Sequence, residues 1–541
     1  MTTKPRTSLF ESLPGGWSSL RTLAALAVAL PFFHLIGSAL SPASENWPYV
    51  RDHLLPSYFW ETLLLAGGTS LAALCLGVTL AWLVSRNDFF GKSFFDLTLI
   101  LPLAIPPYIA AYAYDGLLGF TGPIQTFLRN KLGLMPSSYR IDLPPLAWAV
   151  FIFSITLFPY VYMLSRSFLS RQSASLLENA EILGRGEFHL FRKIGWPLLA
   201  PSAVAGMTLV MLEVLNDFGV ASYYGLNTFT TAIFSAWFGM GDSDTAIKLA
   251  VILMVFVFTA LLLRRLWHRA ARYRIVSSRE KAFRPRKLSG KKQWPVIILC
   301  STVVAVSFFL PLAQMFYWLT LTFPESLNRG LGRAAAYTFF TALTATGIIM
   351  VFAVGTVNAN RLFRGRWSTI ISRFSNVGYS IPSAVLAIGV ITFFISFDRQ
   401  IKIWWPEVNL VISLTSIMLI FALSVRFFTV GYQAVEAGFA KIGPIYTEAS
   451  RSLGRGVTET FFLVDLPLIR PAVLSGFILV FIDMLKELPL SLILRPFNSE
   501  TLGSYVYHFV NNEVLQETAA PSLLIILTGA VFICIMRRWD K

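Results

Sequence analysis

Apolar runs of about 20 residues, the length that crosses a bilayer as a helix, recur along this chain and constrain its fold more than any other feature. They lie near 22–40, 62–84, 95–117, 145–166, 198–219 and 247–266, then near 295–320, 336–357, 376–397, 409–430, 468–492 and 520–537. A soluble domain carries roughly 25% charged residues. Here 14% of 541 residues are charged, 55% are hydrophobic, and the mean hydropathy is +0.63. The expectation is an all-α polytopic membrane protein with twelve transmembrane helices, six per half, and no large soluble domain. The first run exceeds the 7–15 apolar residues of a cleaved signal peptide and is read as a signal anchor, with cleavage after the small residues Ser38 to Ser44 as the alternative.

Lys and Arg set the orientation. Segment 264–292 holds twelve of them, from Arg264 to Lys292, against the single acid Glu280, and joins the halves. By the positive-inside rule it is cytoplasmic, and both termini fall on its side. Residues 221–246 carry no Lys or Arg and belong outside. The net charge of +16 is therefore explained by cytoplasmic loops and lipid headgroups, and nucleic acid is not implied. Cys75, Cys300 and Cys534 sit apart in apolar runs, which indicates neither a disulfide framework nor a zinc site. The domain reading is a first half at 1–266, a basic linker at 267–293 and a second half at 294–541.

The halves are related by an internal repeat. Glu178-Asn179-Ala180-Glu181-Ile182-Leu183-Gly184-Arg185-Gly186 returns 270 residues later as Glu448-Ala449-Ser450-Arg451-Ser452-Leu453-Gly454-Arg455-Gly456, and nine of the 24 positions from Glu178 to Pro201 are identical at that offset. Both copies (175–197 and 444–467) are polar islands that run into Trp196-Pro197 or Leu466-Pro467 and an apolar run. Ser175 and Glu178 have capping-box spacing, Pro444 suits a first helical turn, and Gly184 and Gly454 fall where a helix ends left-handed. Residues 187–195 can form a second short helix. The expected product is a helix–turn–helix on the cytoplasmic surface before a span, with Arg185 and Arg455 beside the turn. A single copy could be an interfacial anchor; two in register argue for a docking surface used twice.

At these residues the chain resembles the ABC-importer permeases, whose EAA loop reads E-A-A-x3-G-x9-I-x-L-P. Asn179, Trp196, Ser450 and Val464 depart from that pattern. The resemblance implies a type I importer fold, with the two loops as coupling helices that each enter an ATP-binding subunit. It assigns that contact to Glu178, Ala180, Gly184 and Arg185, and to Glu448, Ala449, Gly454 and Arg455. It also implies halves related about the membrane normal, with the first span of each half peripheral. The chain has no phosphate loop of its own: Gly91-Lys92-Ser93 has the tail of one, but Arg86 stands at the first glycine position. ATP would thus be used by two partner subunits, with no catalytic residue and no tightly bound cofactor here.

Asn216-Asp217-Phe218-Gly219, Tyr224-Gly225, Lys486-Glu487-Leu488-Pro489 and Leu494-Arg495-Pro496-Phe497-Asn498 resemble the fused ferric-iron permeases, as do Leu101 to Pro107 and Ile381-Pro382. That likeness implies a periplasmic Fe(III)-binding protein as donor and a bacterial inner membrane. Thiamine, an inorganic anion and an ion-coupled secondary transporter remain alternatives, as does a non-transporting scaffold. Glu213 and Asp217, four residues apart, are expected on one helix face, and the 270 offset lands on Asp483 and Glu487. Counting about 1.5 Å per residue puts Glu213 roughly 21 Å and Asp217 roughly 27 Å into the membrane. Acids there are costly and usually face a cavity or a partner. Fe(III) is a hard cation, so the four carboxylates are candidate path residues, with Glu213 and Asp483 as transient metal ligands. Structural pairing with Lys486 or Arg495 is the competing explanation.

Overall fold

A computed structural model describes residues 15–133, 144–170, 187–270, 285–327, 329–363, 378–407 and 411–539. Twelve spans follow from it when one bent pair is taken as a single crossing. They are α1 (Gly16–Ala39), α2 (Trp47–Arg86), α3 (Lys92–Ala104 with Pro107–Leu132), α4 (Pro145–Leu169), α5 (Phe191–Asn216), α6 (Ser243–Leu266), α7 (Gly290–Thr322), α8 (Arg329–Leu362), α9 (Ser383–Trp404), α10 (Ser416–Ile442), α11 (Val457–Leu485) and α12 (Leu515–Met536). Each contains one of the expected apolar runs or most of it. The third is bent by 94°, because Pro106 and Pro107 stand at its break: neither can continue a helical hydrogen-bond ladder.

Within each half three helices pack on one another: α2, α4 and α5 in the first, α8, α10 and α11 in the second. The crossing of α5 on α4 is close, since a Cβ at Gly206 would lie 2.6 Å from Val161 Cα. Gly476, at the 270 offset, lets α11 approach α10 in the same way, with Ala434 Cβ 2.7 Å from where its Cβ would be. The first spans are exchanged between the halves: α1 packs on α8 and α9, and α7 packs on α3 as well as on its own α12. They are peripheral, but each also braces the opposite half.

Four spans contain a π-turn that ends two residues before a proline: Val50–Leu54 before Pro56, Phe191–Gly195 before Pro197, Ala305–Phe309 before Pro311, and Phe461–Asp465 before Pro467. A proline lacks the N–H and crowds the carbonyl four residues back. The wider turn relieves both and carries the helix through. The segment at 187–195 is therefore not a separate short helix. Glu187–Leu190 runs without a break into the π-turn that begins α5, as Val457–Thr460 runs into the π-turn of α11.

The linker re-enters the described structure at Arg286 and Lys287, which pair in parallel with Asn87 and Asp88 at the end of α2. Gln293 Oε1 accepts from the Phe90 N–H, which ties the start of α7 to the first half.

Candidate functional site

The second polar repeat is well defined. Gly443 (φ +72°) ends α10, a short helix runs over Ile445–Ser452, and Gly454 (φ +85°) turns the chain toward α11. Gly454 thus adopts the left-handed geometry that glycine permits. Glu448, Ala449, Gly454 and Arg455 are exposed, with Arg455 beside Glu459 at 3.8 Å. Ile445 is 71% and Leu453 84% exposed, an apolar tip on a polar knob. The knob is fixed from beneath: Thr447 donates to Asp465 in the π-turn (2.6 Å), Arg361 from α8 donates to Thr447 (2.9 Å), and Ser450 shares a hydrogen bond with Thr460 (3.0 Å). Trp17 of α1 packs edge-on against Phe461 of the same π-turn (4.6 Å between ring centroids). The knob is thereby tied to α8, α11 and α1. The first repeat's Glu178, Ala180, Gly184 and Arg185, and the capping residue Ser175, lie outside the described residues.

All four candidate acids converge. Glu213, Asp217, Asp483 and Glu487 line one small cavity of ≈ 70 Å³ between the halves, together with Tyr160, Tyr379, Arg426 and Lys486. Their local setting differs from the expected single helix face. α5 ends at Asn216 and α11 at Leu485, so Glu213 and Asp483 occupy last turns while Asp217 and Glu487 lie beyond them. Asp217 is extended (ψ 140°) and its carboxylate accepts from the Val220 N–H (2.7 Å), capping the short helix Gly219–Tyr223. Glu487 stands before Leu488-Pro489, and Pro489 opens Pro489–Leu494. The apolar runs continue through both breaks, which is why they read as unbroken helix.

Of the two cations expected to pair with these acids, Lys486 does so and Arg495 does not. Lys486 Nζ contacts Asp483 Oδ1 (2.8 Å), Arg495 pairs with Glu500 (3.0 Å), and Glu487 Oε2 faces Arg426 Nε (3.4 Å) from α10. Glu487 also accepts from Ser383 Oγ (2.7 Å), and Glu213 accepts from Tyr379 Oη (2.7 Å). Asn216 Oδ1 accepts from the Ser383 N–H (2.5 Å) and from Arg426 Nη1 (3.0 Å), bridging the halves. Among the described residues, Glu213 and Asp217 have no ion-pair partner, and no three of His, Cys, Asp and Glu gather to hold a metal ion. The acids form a charged lining, not a closed coordination cage.

Arg426, Tyr379, Ser383 and Asn216 were not identified as site residues from the sequence. One signal was present: Arg426 is a lone cation in the apolar run of α10, and such residues are usually functional. Pro106 and Pro107 line the same cavity, and Pro382 precedes Ser383, which donates to Glu487 there. Pro106 and Pro382 have matching backbone (φ −56° in both, ψ 138° and 143°), and each immediately precedes a helix.

A second cavity of ≈ 580 Å³ lies at the end away from the Ile445–Ser452 knob, lined by neutral groups that include Tyr58, Asn227, Thr231 and Tyr507. Phe218, next to Asp217, forms part of its wall and stacks on Phe234 with centroids 3.8 Å apart. Two segments of the halves repeat each other at this end: Thr228 with Thr231 and Thr501 with Ser504 make reciprocal caps at the helices Phe229–Phe234 and Leu502–Asn511.

Two bundles with matching segments, joined at a charged cavity, agree with a family comparison. The binding-protein-dependent transport system inner membrane component matches residues 73–273 and again 345–541. The chain belongs to that family. It is a multi-pass ABC permease with the type I fold in both halves, the membrane component of such a transporter. The Fe(3+)-transport system permease protein FbpB 2 of Haemophilus influenzae is 23% identical over 97% of this chain and 99% of its own length. The ferric transport system permease protein FbpB of Actinobacillus pleuropneumoniae is 21% identical over 87% and 70%. The molybdenum transport system permease protein ModB of H. influenzae is 28% identical, over 37% of this chain and 88% of its own.

Proposed function

We propose that this permease moves ferric iron from a periplasmic Fe(III)-binding protein into the cytoplasm, driven by two ABC ATPase subunits that seat on the segments 175–197 and 444–467. The basic segments and both termini then face the cytoplasm of a bacterial inner membrane. The observation that carries the cargo reading is the cavity itself: four carboxylates converge against two cations where the halves meet. Hard oxygen ligands suit a hard trivalent ion, and an uncompensated negative lining in a bilayer favours a cation. The relatives named for ferric transport support the same reading over nearly the whole chain.

An inorganic oxyanion is the second reading. The sequence resembles a molybdenum permease over 37% of this chain, and Lys486 and Arg426 are the side chains that would hold an anion. The carboxylates around them oppose it. Vesicles containing the permease and its ATPase, supplied separately with donor-bound radiolabelled iron, molybdate and thiamine, decide the point. ATP-dependent iron accumulation is expected. Accumulation of molybdate or thiamine with none of iron would overturn the cargo. Uptake that survives removal of the ATPase and collapses with an uncoupler would overturn the ABC mechanism.

A further inference from the structure

The two cations of the cavity are held differently. Arg426 is fixed: its Nη1 donates to Asn216 Oδ1 and to the Ile381 carbonyl (3.2 Å), its side chain is 3% exposed, and it neutralises Glu487, which Ser383 also holds. Among the described residues Lys486 forms an ion pair with Asp483 alone, and both side chains, which line the cavity, are 21% exposed. An ammonium on a four-carbon stem is a mobile point charge, whereas a guanidinium anchored at several hydrogens is not.

We propose that Lys486 is a built-in, displaceable counter-cation: it occupies Asp483 while the cavity is empty, yields it to the incoming cargo, and reclaims it to expel the cargo. This rests on the reading of the cavity as a cation path. The charge count supports it. With Glu487 neutralised by Arg426, release of Asp483 leaves Glu213, Asp217 and Asp483 as three carboxylates without a cation, which when ionised equal one trivalent ion in charge. With Lys486 in place only two negative charges remain uncompensated, so the empty cavity avoids the cost of three buried anions. The cargo and the ammonium compete for one carboxylate, which keeps binding from becoming a trap.

The test uses the purified full-length permease with Ga(III), a redox-inert trivalent probe supplied as its citrate, in equilibrium dialysis. The variants are Lys486→Met, Lys486→Arg, Asp483→Asn/Lys486→Met and, as blank, Glu213→Gln/Asp483→Asn. Removing the competitor in Lys486→Met is expected to tighten Ga(III) binding by at least about tenfold, some 1.4 kcal/mol. In vesicles the same change slows iron delivery while more metal stays on the permease. Lys486→Arg keeps the charge and stays near wild type. The Asp483→Asn/Lys486→Met variant removes carboxylate and competitor together, retains two free charges, and should bind within about threefold of wild type. A purely structural Lys486 predicts the opposite for these variants: weaker binding in Lys486→Met, and a loss beyond tenfold in Asp483→Asn/Lys486→Met because a ligand is gone. Either result overturns the exchange role, and the paired variant decides alone if Lys486→Met does not fold. If wild type binds no more Ga(III) than the blank, the cation-path reading itself fails.

Discussion

The two halves bring the same acids to the cavity but not the same cations. At the 270 offset Glu213 corresponds to Asp483 and Asp217 to Glu487, whereas Lys486 corresponds to Asn216 and Arg426 to Thr156, both neutral. Asn216 and Thr156 line the same cavity. The first-half acids therefore rest on neutral donors, Tyr379 Oη and the Val220 N–H, and the second-half acids on cations. Duplication supplied a symmetric set of carboxylates, and divergence placed the compensating charge on one side. A cavity built in this way offers free negative charge on one wall and a guarded acid on the other.

Arg426→Met should have the largest effect on stability. It strands Glu487 and removes a donor from Asn216 and Ile381, and breaking a buried pair costs about 3–5 kcal/mol. Thr156→Val, the matching change in the first half, should stay near 1 kcal/mol, because it removes only a hydroxyl bonded to its own helix's carbonyls. Thermal unfolding of both purified variants compares them, and equal losses would end the claim that compensation is one-sided.

The coupling segments give a second contrast. Gly454→Pro should leave the protein inserted and abolish ATPase co-purification and substrate-stimulated hydrolysis, because proline cannot adopt φ +85°. Gly184→Pro should act alike if the first segment has the same turn; intact coupling in that variant would show that the two segments are built differently. Glu178→Ala and Glu448→Ala should be milder, at roughly 1 kcal/mol each. Thr447→Val should also be mild, about 1 kcal/mol, through loss of its bonds to Asp465 and Arg361. A lowered transport yield per ATP with normal ATPase docking would show that the brace carries motion.

The smallest effect concerns pH at Asp242, just before the start of α6. Burial works to raise the Asp242 carboxyl, but donors from Ser44, Thr245 and Asn46 outweigh it and pull it down from 3.8 to about 2. A depressed carboxyl contributes stability that is full above its unfolded value and is lost as pH falls through its folded one. Between pH 4 and pH 2 wild type should therefore lose more stability than Asp242→Asn. Asn512, at the offset position, offers no such titration. Parallel acid unfolding curves would contradict the assignment.

Much of this was legible in the sequence because the repeat does the placing. One offset found all four cavity acids and both polar segments, and hydropathy found every span. What it missed was decided between distant elements. Tyr379, Ser383 and Arg426 reach Glu213 and Glu487 from other helices, and nothing local announces those contacts. The helix ends at Asn216 and Leu485 were hidden by apolar residues that continue past them, although Phe218-Gly219 and Leu488-Pro489 mark the breaks. The prolines at 197 and 467 suggested a boundary where a π-turn instead carries the helix on.

The most direct test of the account is ATP-dependent iron accumulation by Glu213→Gln/Asp483→Asn in vesicles that contain the ATPase and the iron-loaded donor. The paired change removes one acid from each wall and leaves the segments 175–197 and 444–467 untouched. Donor-stimulated ATP hydrolysis should persist while iron accumulation falls to the level of empty vesicles. Wild-type iron accumulation in that variant would contradict a required role for the cavity carboxylates.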